Sequence, residues 1–295
     1  MKWHVYNQSL VRRGELLLAF DVIDNWDVEL KEMNKDKIGE PFHYPNTFLL
    51  LLGYAKVYFH LPYRQTKGIT QGHAKGKVPS IPHYTTINRR INRLNIKVED
   101  TVTEEFINDN SIIIAIDSTG IKVTNRSQWL RDKWNIRKGY LKIHVAVDVK
   151  TKKIISLKVT DEHVHDGKVL HRLVEDITKS KHVIVGKAFA DRAYDSNDAF
   201  RCLADNGILP FIKVRKNAKV KKTNNIFTNL SVISQRKNNL QGWKDSVSYG
   251  QRWIAETVFS CIKGTFGEYV YSIKFKNMVK EMMLKASLYN KMISI

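Results

Sequence analysis

Hydrophobic positions follow one pattern before about residue 110 and another after it. In the first part they recur at helical spacing. Gly14–Leu30 is rich in Leu, Val, Ile and Trp and reads as an irregular helix. Tyr44-Pro45-Asn46-Thr47 predicts a turn and a helix start, Phe48–Phe59 the apolar body, and Leu61-Pro62 the stop. Tyr63–Lys77 carries Gly68, Gly72 and Gly76, which predicts a short helix and then a loop, and Pro79 and Pro82 punctuate the chain before His83. From Thr86, the residues Ile87, Ile91 and Leu94 form one buried stripe, with Asn88, Arg89, Arg90, Asn92 and Arg93 around the rest of that helix. A short helix, a turn and a basic helix fit a helix-turn-helix, whose second helix would enter a major groove. Arg and Asn suit bidentate contacts with guanine and adenine edges. A solvated helix in a small bundle fits the same residues.

Beyond residue 110 the period shortens. Ile112–Ile116 is an apolar β-branched run, Leu141–Val149 alternates, and Ile154–Val159 follows the turn Lys150-Thr151-Lys152, predicting a three-strand meander. Gly167–Thr178 reads as a helix, His182–Ala190 as a strand, Ser196–Asn206 as a helix and Ile208–Val214 as a strand. That order is α/β. Lys213–Asn239 is polar and basic, and 213–240 reads as a loop or small insertion; Arg252–Phe266 and Met278–Met292 read as helices. The expected organisation is a helical region over 1–106 and an α/β domain over 107–295.

Charge adds a partner to this outline. The chain of 295 residues has 49 Lys and Arg against 29 Asp and Glu, a formal net charge of +20. Residues 1–55 carry a net −2, 56–98 carry +9 without an acid, 99–110 carry −5 and 111–295 carry +18. Two basic regions separated by an acidic break point to two nucleic-acid contacts rather than one tail. Two cysteines exclude a disulfide framework or a four-Cys zinc site and favour a reducing, cytoplasmic setting. Met1–Glu15 mixes charged and polar residues where an export signal needs an apolar stretch, and Phe48–Ala55 is far short of the roughly 20 residues that span a bilayer.

Three acids stand at chemically informative places. Asp117 ends the first apolar strand, Asp191 ends the fourth, and Glu256 lies in the first C-terminal helix. Carboxylates after buried strands leave the sheet into one crevice, where a helix can add a third. Their mutual repulsion favours a hard divalent cation with oxygen ligands. Two such ions stabilise attacking and leaving oxygens in displacement at phosphorus. Acids after strands also serve as helix caps or turn formers. In the C-terminal helix Tyr249-x-x-Arg252-x-x-x-Glu256 continues to Lys263, and spacings of four and seven put Arg252, Glu256 and Lys263 on one face. Cations on either side of a metal-binding Glu suit the phosphates that flank a scissile bond. Asp195 competes with Asp191, Asp148 reads as a turn former, His163-x-His165 as a loop or rim pair, and Trp129 and Trp134 as core anchors or base-stacking residues.

Tyr249, Arg252, Glu256 and Lys263 match the Y-(2)-R-(3)-E-(6)-K signature, and the chain resembles the DDE transposases of the prokaryotic insertion-sequence group that carries it. The resemblance extends to Asp117 in Ile116-Asp117-Ser118-Thr119-Gly120, the stretch Lys138–Asp148, and Asp191 in Ala190-Asp191-Arg192-Ala193-Tyr194-Asp195-Ser196. Upstream it takes in Leu61-Pro62-Tyr63-Arg64-Gln65 and Tyr84-Thr85-Thr86-x-x-Arg89-Arg90. It implies a ribonuclease H-like mixed-sheet catalytic domain preceded by a helical DNA-binding region with Asn88, Arg89, Arg90 and Arg93 as contacts. Asp117, Asp191 and Glu256 would hold two Mg²⁺ ions, with Mn²⁺ substituting. Tyr249, Arg252 and Lys263 would hold the phosphates of the transposon end, and a homodimer would bridge two ends before joining them to target DNA. Only the basic 213–240 stretch stands where part of the group has a β-rich insertion, which argues against a hairpin at the DNA end. The competing readings are a transposase-derived DNA binder without turnover and a ribonuclease H-like nuclease or junction resolvase.

Overall fold

The computed structural model describes residues 3–16, 24–96, 98, 111–123, 139–179, 183–237 and 239–295. They fall into two compact units, one of Met1–Ile96 with Lys274–Ile295 and the other of Lys97–Ile273.

The first unit is helical: α1 (Trp3–Leu16), α2 (Trp26–Asn34), α3 (Asn46–Tyr58), α4 (Tyr63–Ala74), α5 (Tyr84–Ile91) and, from the far end of the chain, α11 (Phe275–Ile293). Of the stretch Gly14–Leu30 that was expected to form one helix, residues 17–23 lie outside the described ones, 24 and 25 form a turn, and α2 begins at Trp26. Helix α3 is its centre, buried from Phe48 to Val57. It ends at Tyr58, and His60, two residues on, takes a left-handed φ of 55° before Pro62 leads into α4. Gly53 admits α11: a Cβ there would meet Leu284 Cδ2 at 2.9 Å. Tyr54 and Ser287 share a buried hydrogen bond of 2.7 Å. Lys56, Glu281 and Lys285 are also buried, with Lys285 Nζ 3.8 Å from Glu281 Oε1. Helix α11 thus belongs to the first unit, not to the α/β domain that was expected to run to residue 295. Its pattern shows apolar positions on several faces, but which neighbour covers them is set by tertiary packing.

The second unit is a six-stranded mixed sheet. Strands β1 (Ile112–Val123), β2 (Tyr140–Asp148) and β3 (Ile154–Asp161) form the antiparallel meander; β4 (Val185–Ala190) and β5 (Leu209–Ile212) run parallel to β1. The order is β3-β2-β1-β4-β5, with the short β6 (Tyr269–Val270) beside the far end of β1. This is the ribonuclease H-like arrangement that the resemblance implied. Helices α6 (Asp166–Lys179) and α7 (Asn197–Asp205) pack on one face, burying Val169, Leu170, Leu173, Phe200 and Leu203 against Ile112, Ile114, Ile116, Ala188 and Ala190. The other face carries Phe189, Trp243 and Tyr249. The 213–240 stretch is more than a loop: it holds α8 (Ile226–Lys237), followed by α9 (Asn239–Val247). Gln235 of α8 bonds the Ile212 carbonyl and the Val214 N–H, which ties the basic segment to the end of β5.

Candidate active site

Register brings the first two acids together. In the parallel pair of β1 and β4, Ile116 stands beside Ala190. The next residues along the chain, Asp117 and Asp191, therefore stand at the same level. Asp117 does not end its strand, as expected, because β1 continues to Val123 against β2. Strand alternation chooses the face: Ile112, Ile114 and Ile116 enter the core with α6 and α7, so Asp117 and Thr119 point the opposite way.

A 3₁₀ turn (Tyr249–Arg252) runs into α10 (Trp253–Phe266), which buries Ala255, Val258, Phe259 and Ile262 and carries Arg252, Glu256 and Lys263 toward the acids. Arg252 Nη1 donates to Asp117 Oδ2 at 3.0 Å, and Nη2 donates to Glu256 Oε1 at 2.6 Å. Lys263 Nζ donates to Thr119 Oγ1 at 2.8 Å. Asp191 accepts the Ala193 N–H at 2.7 Å and so also caps the turn after it. Two hollows adjoin this centre. One of about 350 Å³ is lined by Asp191, Arg192, Lys213, Lys244 and Arg252 among others. The other, of about 640 Å³, is lined by Asp117, Thr119, Glu256, Lys263 and Glu268 among others.

Burial pushes the Asp117 carboxyl above its ordinary value; the Ser118 N–H and Arg252 oppose the rise, and Asp191 and Glu256 add to it. The three acids therefore feel one another's charge. Among the described residues no three acidic, His or Cys side chains stand together at metal-ligand spacing. The Arg252 guanidinium takes the place between Asp117 and Glu256 instead. The donor set still fits a divalent cation: it is all carboxylate oxygen, and like charge within reach of a buried acid is relieved by a cation.

Tyr249 does not present a hydroxyl for a phosphate. It is buried against Phe189 and Trp243 and donates to the Ala190 carbonyl at 2.7 Å, which supports β4 next to Asp191. Burial raises its pKa. Asp195 is occupied with the Arg215 N–H at 2.7 Å, and Asp148 accepts from the N–H and hydroxyl of Thr151, the turn role expected of it. His163 and His165 are exposed in the turn before α6. Trp129 and Trp134 lie outside the described residues.

Of the helix-turn-helix residues, Asn88, Arg89 and Arg90 sit on α5 and Arg93 in the turn that follows it, in the first unit. His83 caps it through the Thr85 N–H, and Ile87 and Ile91 are buried. Asn88, Arg89 and Arg93 are exposed. Arg90 is committed within the unit: Nη2 donates to Asn46 Oδ1 at 2.8 Å, and its guanidinium stacks over Phe42 at 4.1 Å.

Residues 109–291 match the family model of the transposase DDE domain, well over half of the chain, and a second model of the same description matches residues 11–126. The chain belongs to the DDE transposase family. It is a DNA-cleaving, strand-transferring enzyme that acts on DNA, and its family is divalent-metal dependent. Solved structures similar to this transposase include the piggyBac transposase synaptic complex with hairpin DNA, with a TM-score of 0.43 and 11% identity over 96% of this chain and 74% of that one. The Drosophila P element transposase strand transfer complex has a TM-score of 0.34 and 10% identity over 88% and 68%. The family assignment rests on the sequence models, not on these two likenesses. Among the transposase's described residues no helix is long and apolar enough to cross a membrane.

Several residues around the site carry no signal in the sequence alone. Lys213 and Lys244 line the hollow beside Asp191, but Lys213 opened a basic stretch read as a loop and Lys244 stood outside every element read from the sequence. Asp166, at the start of α6, pairs with Lys142 Nζ at 2.7 Å and looked like any acid in a first helical turn.

Proposed function

We propose that this transposase serves a prokaryotic insertion sequence: it binds the terminal inverted repeats, cuts at their 3′ ends and joins them to target DNA. Asp117, Asp191 and Glu256 are the metal-binding catalytic residues of this reading, with two Mg²⁺ as cofactor and Mn²⁺ as a substitute. The observation that carries it is the Ile116–Ala190 register, which sets Asp117 and Asp191 side by side with Glu256 facing them across Arg252. The ions supply Lewis-acid stabilisation of the attacking and leaving oxygens. The protein's own part is positional and electrostatic. Lys263, Lys213, Lys244 and Arg192 line the two hollows and hold phosphates on either side of the scissile bond. Arg252 neutralises Asp117 and Glu256 and adds a planar fork for phosphate oxygens. Tyr249 acts through β4 rather than on DNA. In the helical unit Asn88, Arg89 and Arg93 contact DNA, and Arg90 holds the helix that carries them. A homodimer bridges the two ends.

The test is incubation of the protein with its element's ends and Mg²⁺, followed by strand transfer into a plasmid. Wild type yields 3′-end nicks and joined products, and Asp117→Asn yields neither. Nicking by Asp117→Asn at the wild-type rate overturns the site. Binding without nicking supports a non-catalytic DNA binder, and nicking without joining a nuclease.

A further inference from the structure

The first unit carries a basic hollow of its own, of about 380 Å³, between α4 and the segment that joins α4 to α5. Lys67, Gln71 and Lys75 line one wall, and Pro79, Ser80 and Ile81 the other. The helical period makes the first wall. Thr66, Thr70 and Ala74 are buried, and Lys67, Gln71 and Lys75 each follow one of them, about 100° further round the helix. Lys67 is half-buried, and Gln71 and Lys75 are exposed. None of the three side chains has a hydrogen bond or ion pair among the described residues. Residues 56–98 contain no acid, so this segment supplies no carboxylate to neutralise them. Two cations and an amide donor that face one hollow with no anion among them make a seat for an anion.

Position says which anion. Arg64 lies three residues before Lys67 and seven before Gln71, on the same flank of α4. Its guanidinium stacks over the ring of Tyr84, the first residue of α5, at 5.2 Å. The flank therefore runs from the hollow to the start of the helix that exposes Asn88 and Arg89. Gly68 and Gly72 form the adjoining strip, and a Cβ on either would meet nothing within 4 Å among the described residues. Glycine weakens a helix interior, and no neighbour in the unit requires it at these two positions. The bare backbone they leave is open to close approach from outside. In a helix-turn-helix the first helix crosses the DNA backbone while the second enters the groove.

We propose that this hollow seats the DNA backbone: Lys67, Gln71 and Lys75 hold neighbouring phosphates of the duplex end and so fix the register in which α5 meets its bases. The inference rests on the reading of α5 as the helix that contacts DNA. Phosphate contacts position a protein without reading sequence, so their loss weakens binding to every duplex alike and lowers its salt dependence.

The experiment compares wild type, Lys67→Gln/Lys75→Gln, Asn88→Ala/Arg89→Ala/Arg93→Ala and a charge-matched control, Lys31→Gln/Lys35→Gln, at exposed lysines of α2 and its C-cap. Fluorescence anisotropy measures affinity for a duplex of the element's end and for a scrambled duplex over a salt series. It is repeated on end duplexes in which each phosphate in turn is replaced by neutral methylphosphonate, and circular dichroism checks folding. Lys67→Gln/Lys75→Gln is expected to bind both duplexes at least about tenfold more weakly at low salt, with a salt slope smaller by about 1.8. Neutralising the seated phosphates should weaken wild type about threefold or more and this variant less than about 1.5-fold, the non-additivity of groups in contact. The control should keep the wild-type slope. If the α5 variant keeps the wild-type preference for the end, the reading of α5 fails and the proposal with it. If that preference is lost while Lys67→Gln/Lys75→Gln binds like wild type, or while every methylphosphonate costs both proteins the same, the proposal alone is overturned. An equal loss of slope in the control overturns it as well, since the effect is then one of net charge. Should the double variant fail to fold, Lys75→Gln, at an exposed position, decides by the same phosphate scan: wild-type penalties at every phosphate refute the seat.

Discussion

Arg252→Gln removes the one cation lying between two of the site's acids. Arg252 and Asp117 are nearly buried, with side-chain exposures of 14% and 15%, whereas Glu256 is 38% exposed. Breaking a buried pair by deleting one partner costs about 3–5 kcal/mol, while an exposed i,i+4 pair is worth about 0.3–0.5 kcal/mol. The Asp117 contact therefore dominates, and solvent reaching the site through Glu256 lowers the total to about 3 kcal/mol. Asp117 already sits above its ordinary pKa, and losing Arg252 raises it further. A carboxyl raised in the folded state costs stability at high pH and is relieved as pH falls through its folded value. The variant's deficit is thus expected to be full at neutral pH and to shrink in mild acid. A divalent cation should replace the lost charge. Urea unfolding of the sheet unit, followed through the buried Trp243, is the assay, run in EDTA and in millimolar Ca²⁺. The expected result is a deficit of about 3 kcal/mol in EDTA, most of it recovered in Ca²⁺, with wild type gaining little. A variant within about 0.5 kcal/mol of wild type in EDTA, or equal Ca²⁺ stabilisation of both proteins, refutes the reasoning.

Three further outcomes are expected. Burial pushes Lys285 down to about 8, partly offset by Glu281, so the unfolded chain binds more protons between that pH and the ordinary lysine value. The helical unit should gain about 2–3 kcal/mol as pH rises from 8 to 10.5, and Lys285→Met should flatten most of that rise in denaturant titrations. Gly53→Val should destabilise the helical unit by about 1–3 kcal/mol through the clash with Leu284, and adding Leu284→Ala should make the double mutant more stable than the sum of the two single changes. Tyr249→Phe leaves the Ala190 carbonyl without its strongest donor and should cost about 1–2 kcal/mol and slow nicking while leaving end-DNA affinity unchanged; weaker DNA binding with normal stability would instead make the tyrosine a phosphate contact.

Legibility followed the range of each interaction. Local periodicity sufficed for α3, α6, α7 and the strand order, because Leu173 or Ile143 carries its burial in the spacing of its neighbours. It named α11 as a helix but failed to place it in its unit: the residues that Leu284 and Ser287 meet lie more than two hundred positions away, at Gly53 and Tyr54. It also failed at 213–240, where polar composition concealed a helix whose Gln235 is recruited by the end of β5. The acids Asp117, Asp191 and Glu256 could be named from the apolar runs that precede the first two and the signature that holds the third, although Asp117 lies within β1 and not after it. That Arg252 stands between two of them, that Tyr249 turns inward and that Arg90 is spent on Asn46 and Phe42 could not, since each depends on side-chain direction after packing.

The sequence by itself therefore determined the chemistry: a basic chain, an α/β order and three carboxylates with their cations, all written in residue type and spacing. Only the tertiary structure decided which cation neutralises which acid and which carbonyl takes the Tyr249 hydroxyl. Those choices arise where strand register and packing bring side chains from distant parts of the chain together, and no local pattern encodes the partner that each one meets.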